Sequence, residues 1–511
     1  MQPTSAPDRP TGTGLRLPAR LEGLREARVD VVGVGSVEGG EIARFLLDSG
    51  FTRVVGHDLN PGLDELARAH RLAHAGLTAE EAREHLGRLL SGLFELHLGE
   101  EYLEGVESSQ LVIPTQAWFL HPRNQPLQRL RDQGAPFYSL IQAYLDLSRG
   151  PVIGVTGSHG KSTTSTLVAR GLRAVRPVVW LAGNDRHNHQ ALEEVARDVE
   201  GIGCLVLEIS NRQLLQMHRA PEVACLTNIT PNHLDEHGGM EQYVACKRRI
   251  FELPGCRVLV RNGDDPVSRE LGPAPQGVRE LVAAAEEERL QGADGCFEEG
   301  GWAVVRVAGV NRPVLDLGRL RLQGEHNRAN LRAALAVAAG MDGVSPTQLE
   351  AVAAAMAEQR SLPHRVQLVW QRDGVDYYDD LSSTTPQSTV VAVRTVRRPV
   401  VLICGGDDKG IPFEPLAELA GREVRHLVLL PGAGSEGIRQ AVRRAGHEER
   451  LHSADSLEKA VAVARELARP GEAVLLSPAC PGFFTAHYGA GGYRRALRGR
   501  PTSPRPRRRP A

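Results

Sequence analysis

The sequence predicts an α/β protein of three domains: a Rossmann-like N-terminal domain, a central domain of the P-loop ATPase type and a Rossmann-like C-terminal domain. Three observations lead there. Short apolar runs that end in glycine, asparagine or an acid alternate with helical patterns, as they do in parallel sheets. One such run, Val152 to Val155, leads into Thr156-Gly157-Ser158-His159-Gly160-Lys161-Ser162-Thr163 and then a helix, which sets bare N–H groups and a helix N-terminus where a polyphosphate can sit. The 511 residues also suffice for about three domains of ~150 residues each.

Residues 1–22, rich in proline, glycine and charge, read as a disordered leader. The first domain is placed at 23–145. Its opening strand, Val29 to Val32, ends in Gly33, Gly35, Ser36, Gly39 and Gly40 before a helix through Leu47. A second strand at Val54 and Val55 ends at Asp58, an acid suited to a ribose or base donor. The third fingerprint position holds Glu38 rather than glycine, so a single nucleotide fits this loop at least as well as NAD. Leu111 to Ile113 reads as a further strand.

The central domain is placed at 146–360. Its phosphate loop is more compact than a standard Walker A, because Val155 stands five residues before Gly160 and Gly157 only three before. Lys161 adds a mobile positive charge and Ser162 a hydroxyl for Mg2+, with ATP or a similar nucleotide as the expected occupant. Val178 to Leu181 ends in Gly183 and Asn184. Cys204 to Leu207 ends in Glu208, a carboxylate at a strand tip where Mg2+ is usually held, directly or through water. Val223 to Leu226 leads to His233, a metal ligand or a capping histidine. Lys247 falls on a helix, where an isolated lysine is ordinarily solvated. Asn327 and Asn330 share a helix face, which suits an adenine edge or helix capping.

The third domain, 361–498, carries strands Val400 to Cys404, His426 to Leu430 and Ala473 to Leu476. These end in Gly405 to Lys409, Pro431 and Gly432, and Ser477 and Pro478. A basic tail, 499–511, reads as disordered and solubilising.

Composition excludes several classes. With 61 basic and 62 acidic residues the net charge is -1, so no global field favours nucleic acid or an anionic membrane. The seven cysteines, 204, 225, 246, 256, 296, 404 and 480, contain no C-x-x-C pair. They argue against a zinc site or disulfide framework built on them, and fit a reduced cytoplasmic setting. No run of ~18 uncharged apolar residues predicts membrane insertion.

Eight segments stand in consistent order: TGSHGKST (156–163), EISNRQL (208–214), NITPNHLD (228–235), YVACKRRI (243–250), GEHNRAN (324–330), LPHR (362–365), GGDDKG (405–410) and LSPAC (476–480). Taken together they resemble the Mur ligases, the ATP-dependent enzymes that build the peptide stem of peptidoglycan. The resemblance implies the glutamate-adding branch. There UDP-N-acetylmuramoyl-L-alanine is activated as an acyl phosphate and joined to glutamate, D-glutamate being expected. The alternatives are L-glutamate or another amino acid, or a non-catalytic nucleotide-binding homologue.

It further implies that Gly157, Ser158, His159, Gly160, Lys161, Ser162 and Thr163 hold the nucleotide, with Asn327 and Asn330 near the adenine and Arg365 and Asp380 reaching it from the third domain. Ser162, Glu208, His233 and Lys247 would hold two Mg2+ ions, Lys247 as a CO2-derived carbamate. Lys161, His233, Lys247 and Arg365 would be catalytic. Gly35, Ser36, Asp58 and Asn184 would bind the UDP-sugar, and Thr384, Lys409 and Ser477 the amino acid. A cytoplasmic monomer with no nucleic-acid partner is implied. The chain departs from the family pattern at Asp380-Leu381-Ser382-Ser383-Thr384-Thr385, where Asp-Ser-Lys-Ala-Thr-Asn is usual, at Pro481 and Gly482, and at Asp185 and Arg186.

Overall fold

The computed structural model describes residues 15–74, 77–184, 191–408, 410–480 and 492–498, and the described residues form three sheets. They fall into two compact units, one running to Arg321 with Ala329–Gln359, the other Leu322–Arg328 with Arg360 onward.

The first unit holds two sheets. In the four-stranded one, Glu95–Leu98, Val54–Asp58, Val29–Val32 and Leu111–Pro114 lie side by side in that order, all parallel. Sequence order reverses at Val29–Val32, so a crevice opens between the loop after it and the loop after Leu111–Pro114.

The nine-stranded sheet places Val152–Thr156 between Cys204–Glu208 and Val223–Leu226, with Val155 level with Glu208. The apolar run ends at one edge of the sheet, and the phosphate loop and Glu208 emerge there together. The sheet's far side finishes in antiparallel strands, Asp294–Glu299, Trp302–Val307 and Val310–Asp316, with Pro313 in the outermost.

A single apolar cluster running from Leu15 to Leu271 serves both sheets. This corrects the expected leader: Leu15 and Leu21 are buried in that cluster. Arg16 Nη2 donates to the carbonyls of Leu147, Val195 and Asp198 at 2.7, 3.1 and 3.0 Å. From residue 15 the chain is anchored.

The second unit is one sheet ordered Gln367–Arg372, Val375–Asp379, Ala473–Leu476, Val400–Cys404, Val424–Leu429, Leu451–Ser453. Only the first pair is antiparallel. Apolar clusters cover its two faces. Lys409, Asp185, Arg186, Pro481, Gly482 and the basic tail lie outside the described residues. All seven cysteines are free thiols.

Candidate functional site

The phosphate loop is shaped by two glycines. Gly157 and Gly160 have φ of 152° and 84°, and a Cβ on them would lie 2.0 Å from Thr227 Oγ1 and 2.3 Å from Asn330 Oδ1. Side chains are excluded there by both space and backbone angle. Gly160 caps helix Lys161–Leu172, so the N–H groups of its first turn point at the loop's mouth.

A neighbouring loop grips this arch. Asn228 Oδ1 accepts the His159 N–H at 2.9 Å and its Nδ2 donates to the His159 carbonyl at 3.0 Å. Thr227 Oγ1 donates to that carbonyl at 2.6 Å. The Ser158 hydroxyl sits between the Thr230 backbone and Tyr243 Oη. Lys161 Nζ folds back onto the carbonyls of Gly157 and Ser158 at 2.9 and 3.1 Å. Its charge therefore stands at the loop, where phosphate would meet it.

Beside the loop, one carboxylate is incompletely satisfied. Glu208 Oε1 accepts Asn184 Nδ2 at 2.7 Å, while Oε2 is buried with no hydrogen-bond partner. A buried anionic oxygen in that state costs free energy unless a cation meets it. Lys247, read from sequence as a solvated helical lysine, is instead 1% exposed. Its Nζ donates to Thr156 Oγ1, at the end of the loop strand, at 3.1 Å. Burial pulls its pKa well below the ordinary lysine value, and the Lys161 charge adds to the effect against the opposing influence of Cys246 and Glu208.

His233 has φ 54° at the start of helix Leu234–His237, and its Nδ1 lies 2.8 Å from Glu236 Oε1, which leaves Nε2 for a metal. Burial opposes the Glu236 charge, but hydrogen bonds from His233 and Arg212 outweigh it and hold the carboxyl below the usual range. His237, next along, has its pKa lowered by burial and feels the charges of both Lys247 and His233. Lys161, Glu208, Lys247 and His233 thus belong to one neighbourhood. Oxygens from Ser162 and Glu208 and a histidine nitrogen suit Mg2+, a hard cation, better than a thiolate set would.

Several expected ligands are occupied by the fold itself. Asp58 Oδ2 accepts the Gly35 N–H at 2.9 Å, and Oδ1 takes Asn60. Ser36 caps helix Val37–Asp48. Asn330 Oδ1 accepts from Thr164 Oγ1 at 3.2 Å, and Asn327 Nδ2 donates to the Gln323 carbonyl at 2.7 Å. Neither bond is a helix cap: one reaches back a turn to a carbonyl, and the other crosses to helix Lys161–Leu172. Asn184 ties Glu208 to Gln116, whose Nε2 donates to Asn184 Oδ1 at 3.1 Å.

Sequence reading missed the residues that join the two sheets. Glu38 Oε2 accepts the Gln116 N–H at 2.7 Å and Oε1 accepts Gln213 Nε2 at 2.6 Å. Ser210 donates to Gln116 Oε1. The one signal was Glu38 itself, at the glycine position of the fingerprint. It lies in the crevice between the two loops.

In the second unit, Arg365 stands between His364 and Val366, with φ of 60° and 45°. A β-branched residue in that region is strained. His364 Nδ1 lies 2.9 Å from Asp379 Oδ2, and the Val366 N–H donates to Asp380 Oδ1 at 3.1 Å, so the bend is pinned on both sides of the arginine. Asp380 is buried, which raises its pKa to about 7 despite hydrogen bonds from Ser383, Ser477 and Val366. Ser477, expected at the amino acid, is fully buried with its hydroxyl on Asp380 Oδ2 at 2.7 Å; it braces Asp380. Thr384 is exposed. A cleft of about 690 Å³ opens elsewhere in this unit, along Leu429 to Gly432, Arg439 and Lys459, and none of the expected site residues lines it.

A compact phosphate loop beside an acid, a histidine and a buried lysine is the equipment of an ATP-using ligase. Residues 155–338 match the Mur ligase middle domain and residues 364–480 the Mur ligase glutamate ligase domain. The chain belongs to the Mur ligase family. Its relatives include proteins named UDP-N-acetylmuramoylalanine--D-glutamate ligase. That of Symbiobacterium thermophilum is 36% identical over 460 residues, covering 90% of this chain and 94% of the relative. That of Roseiflexus sp. is 34% identical over 472 residues, covering 90% and 95%. Among solved structures, UDP-N-acetylmuramate-alanine ligase of Thermotoga maritima superposes with a TM-score of 0.59 at 17% identity, covering 93% of this chain and 99% of that one. The pseudomurein peptide ligase type C of Methanothermus fervidus gives 0.54 at 15%, covering 93% and 99%. These two likenesses are of fold.

Proposed function

We propose that the chain joins D-glutamate to UDP-N-acetylmuramoyl-L-alanine at the expense of ATP, through an acyl phosphate, in cytoplasmic peptidoglycan precursor synthesis. The observation that carries this reading is the unpartnered buried oxygen of Glu208, level with the phosphate-loop strand and within electrostatic reach of Lys247.

A carboxylate and an amine do not condense in neutral water, so the acceptor carboxylate must first take a phosphoryl group. Two anions must then approach each other. Lys161 and the N–H groups of the first helical turn receive phosphate charge and orient it. Ser162, Glu208, His233 and Lys247 would hold Mg2+, which when bound neutralises the transferring phosphate oxygens.

Burial favours the neutral form of the Lys247 amine, whose lone pair adds to CO2. The product is a carbamate and a released proton, which converts a buried amine into an anionic oxygen ligand. Arg365, on its pinned bend, is the second unit's cation for the nucleotide; Thr384 and Lys409 would serve the amino acid. The incoming amine attacks the acyl carbon and phosphate leaves. No helix among the described residues is long and apolar enough to cross a membrane. A cytoplasmic setting suits the nucleotide-linked substrate proposed here, and the proposal uses residues of one chain.

The deciding measurement is phosphate release with ATP, UDP-N-acetylmuramoyl-L-alanine and each glutamate enantiomer in turn. Release stimulated by D-glutamate supports the proposal. Stimulation by L-glutamate alone would favour the second reading, which rests on the changed segment Leu381 to Thr385. No stimulation by any amino acid would leave a nucleotide-binding homologue.

A further inference from the structure

Three imidazoles meet behind the glycine loop of the first sheet, outside the site above. His70 lies on helix Leu63–Ala73, His74 is its C-terminal cap, and His85 lies on helix Ala79–Gly92. Each offers one ring nitrogen, and these nitrogens all lie within 4.8 Å of one another. Ring centroids are 4.0 Å apart for His70 and His74, 5.1 Å for His70 and His85 and 5.2 Å for His74 and His85.

The other nitrogens of His70 and His74 are fixed by backbone. His70 Nδ1 donates to the Gly35 carbonyl at 3.1 Å, and His74 Nδ1 donates to the His70 carbonyl at 2.9 Å. Both rings therefore carry their lone pair on Nε2. A metal-bound histidine characteristically donates its second nitrogen in this way, which sets the tautomer and the ring orientation. The rings are also neutral near pH 7. Burial is the main cause, bringing His70 and His85 down to about 4 and lowering His74, with neighbouring His74 acting on both of the others and Arg44 on His74 and His85.

His85 Nδ1 lies 2.9 Å from His70 Nε2, and His85 Nε2 faces Arg44 Nη1 at 2.6 Å. Without an ion, Arg44 donates to His85 and His85 donates to His70. Ligation by His85 Nδ1 moves that ring's proton to Nε2, and Arg44 must then withdraw. It already pairs with Glu41 at 2.5 Å and Glu193 at 3.5 Å, so it has acceptors to withdraw to.

We propose that His70 Nε2, His74 Nε2 and His85 Nδ1 bind one divalent transition-metal ion of the zinc class, with water as the fourth ligand. Three neutral imidazoles suit a borderline-soft tetrahedral ion and not Mg2+. The ion clamps the two helices to each other and, through His70, backs the Gly35 carbonyl. It takes no part in ATP chemistry.

The test uses the untagged full-length chain, stripped with chelator and titrated with Co2+. One equivalent should give the strong visible absorption of four-coordinate cobalt, Zn2+ should abolish it, and melting temperature should rise with added Zn2+. His74→Gln and His85→Gln should each weaken binding at least about a hundredfold. X-ray absorption of the zinc-loaded wild-type chain should show an imidazole-rich shell; this needs no variant to fold. Absence of the cobalt band, a shell without imidazole, or a band that both variants retain overturns the proposal.

Discussion

Lys247 shows how a single residue can mislead from sequence and explain itself in structure. A lysine on a helix is ordinarily solvated, yet this one is buried, and its ammonium form is disfavoured by burial and by Lys161. Under 13C-labelled bicarbonate we expect the chain to show one carbamate 13C resonance that Lys247→Ala removes, together with loss of phosphate release. An unlabelled wild-type chain would exclude the carbamate. Lys161→Ala should cut phosphate release about a thousandfold or more, since it deletes a cation at the transferring group, while the melting temperature changes little. Lys161 and Glu208 stood out in the sequence because one opens a helix behind a glycine loop and the other ends an apolar run, positions suited to phosphate and to metal. Tyr243 and Asn228 were not, since a buried hydroxyl and an amide clasp have no periodic signature.

Among elements, the loops are more informative than the strands they follow. Central strands such as Val223–Leu226 and Val400–Cys404 were readable as unbroken apolar runs buried on both faces. The edge ribbons were not. Val310–Asp316 presents Asn311, Arg312 and Pro313 outward, and only two of its residues are buried. Long-range pairing, rather than local pattern, makes it a strand.

The crevice of the first sheet has a carboxyl group of its own, whose pKa burial raises against the hydrogen bonds from Gln116 and Gln213 and the charge of Arg212. Glu38 takes the Gln116 N–H at 2.7 Å, at the place where a diphosphate would be received. Glu38→Gln removes the ionisable group and keeps one of its two acceptor oxygens, which receive the Gln116 N–H and Gln213 Nε2. We expect it to lower KM for the UDP-linked acceptor about tenfold with kcat nearly constant, and to tighten UDP binding without changing uridine binding in calorimetry. An unchanged ratio of UDP to uridine affinity would refute the electrostatic account. Gly160→Ala, by contrast, drives a Cβ against Asn330 and should raise KM for ATP in the same assay.

At the scale of the molecule, the two units have separate cores, and Asp380 belongs to only one of them. Its carboxyl titrates at about 7 when folded and near 4 when unfolded, so the folded chain holds the proton more tightly. That contribution is complete below about pH 4 and is lost as pH rises to about 7, by roughly 4 kcal/mol at most. Asp380→Asn should therefore gain stability over wild type as pH climbs from 5 to 8, in the calorimetric transition of the second unit alone; a pH-independent difference would contradict it. The outermost strand of the nine-stranded sheet has a consequence of another kind. Pro313 has no N–H to offer, and Arg312 beside it carries a charge, so this open rim is a poor template for an incoming strand of another molecule. This rim can thus face crowded solution without seeding fibrous self-association, and its protection lies as far along the sheet from the phosphate loop as the fold allows.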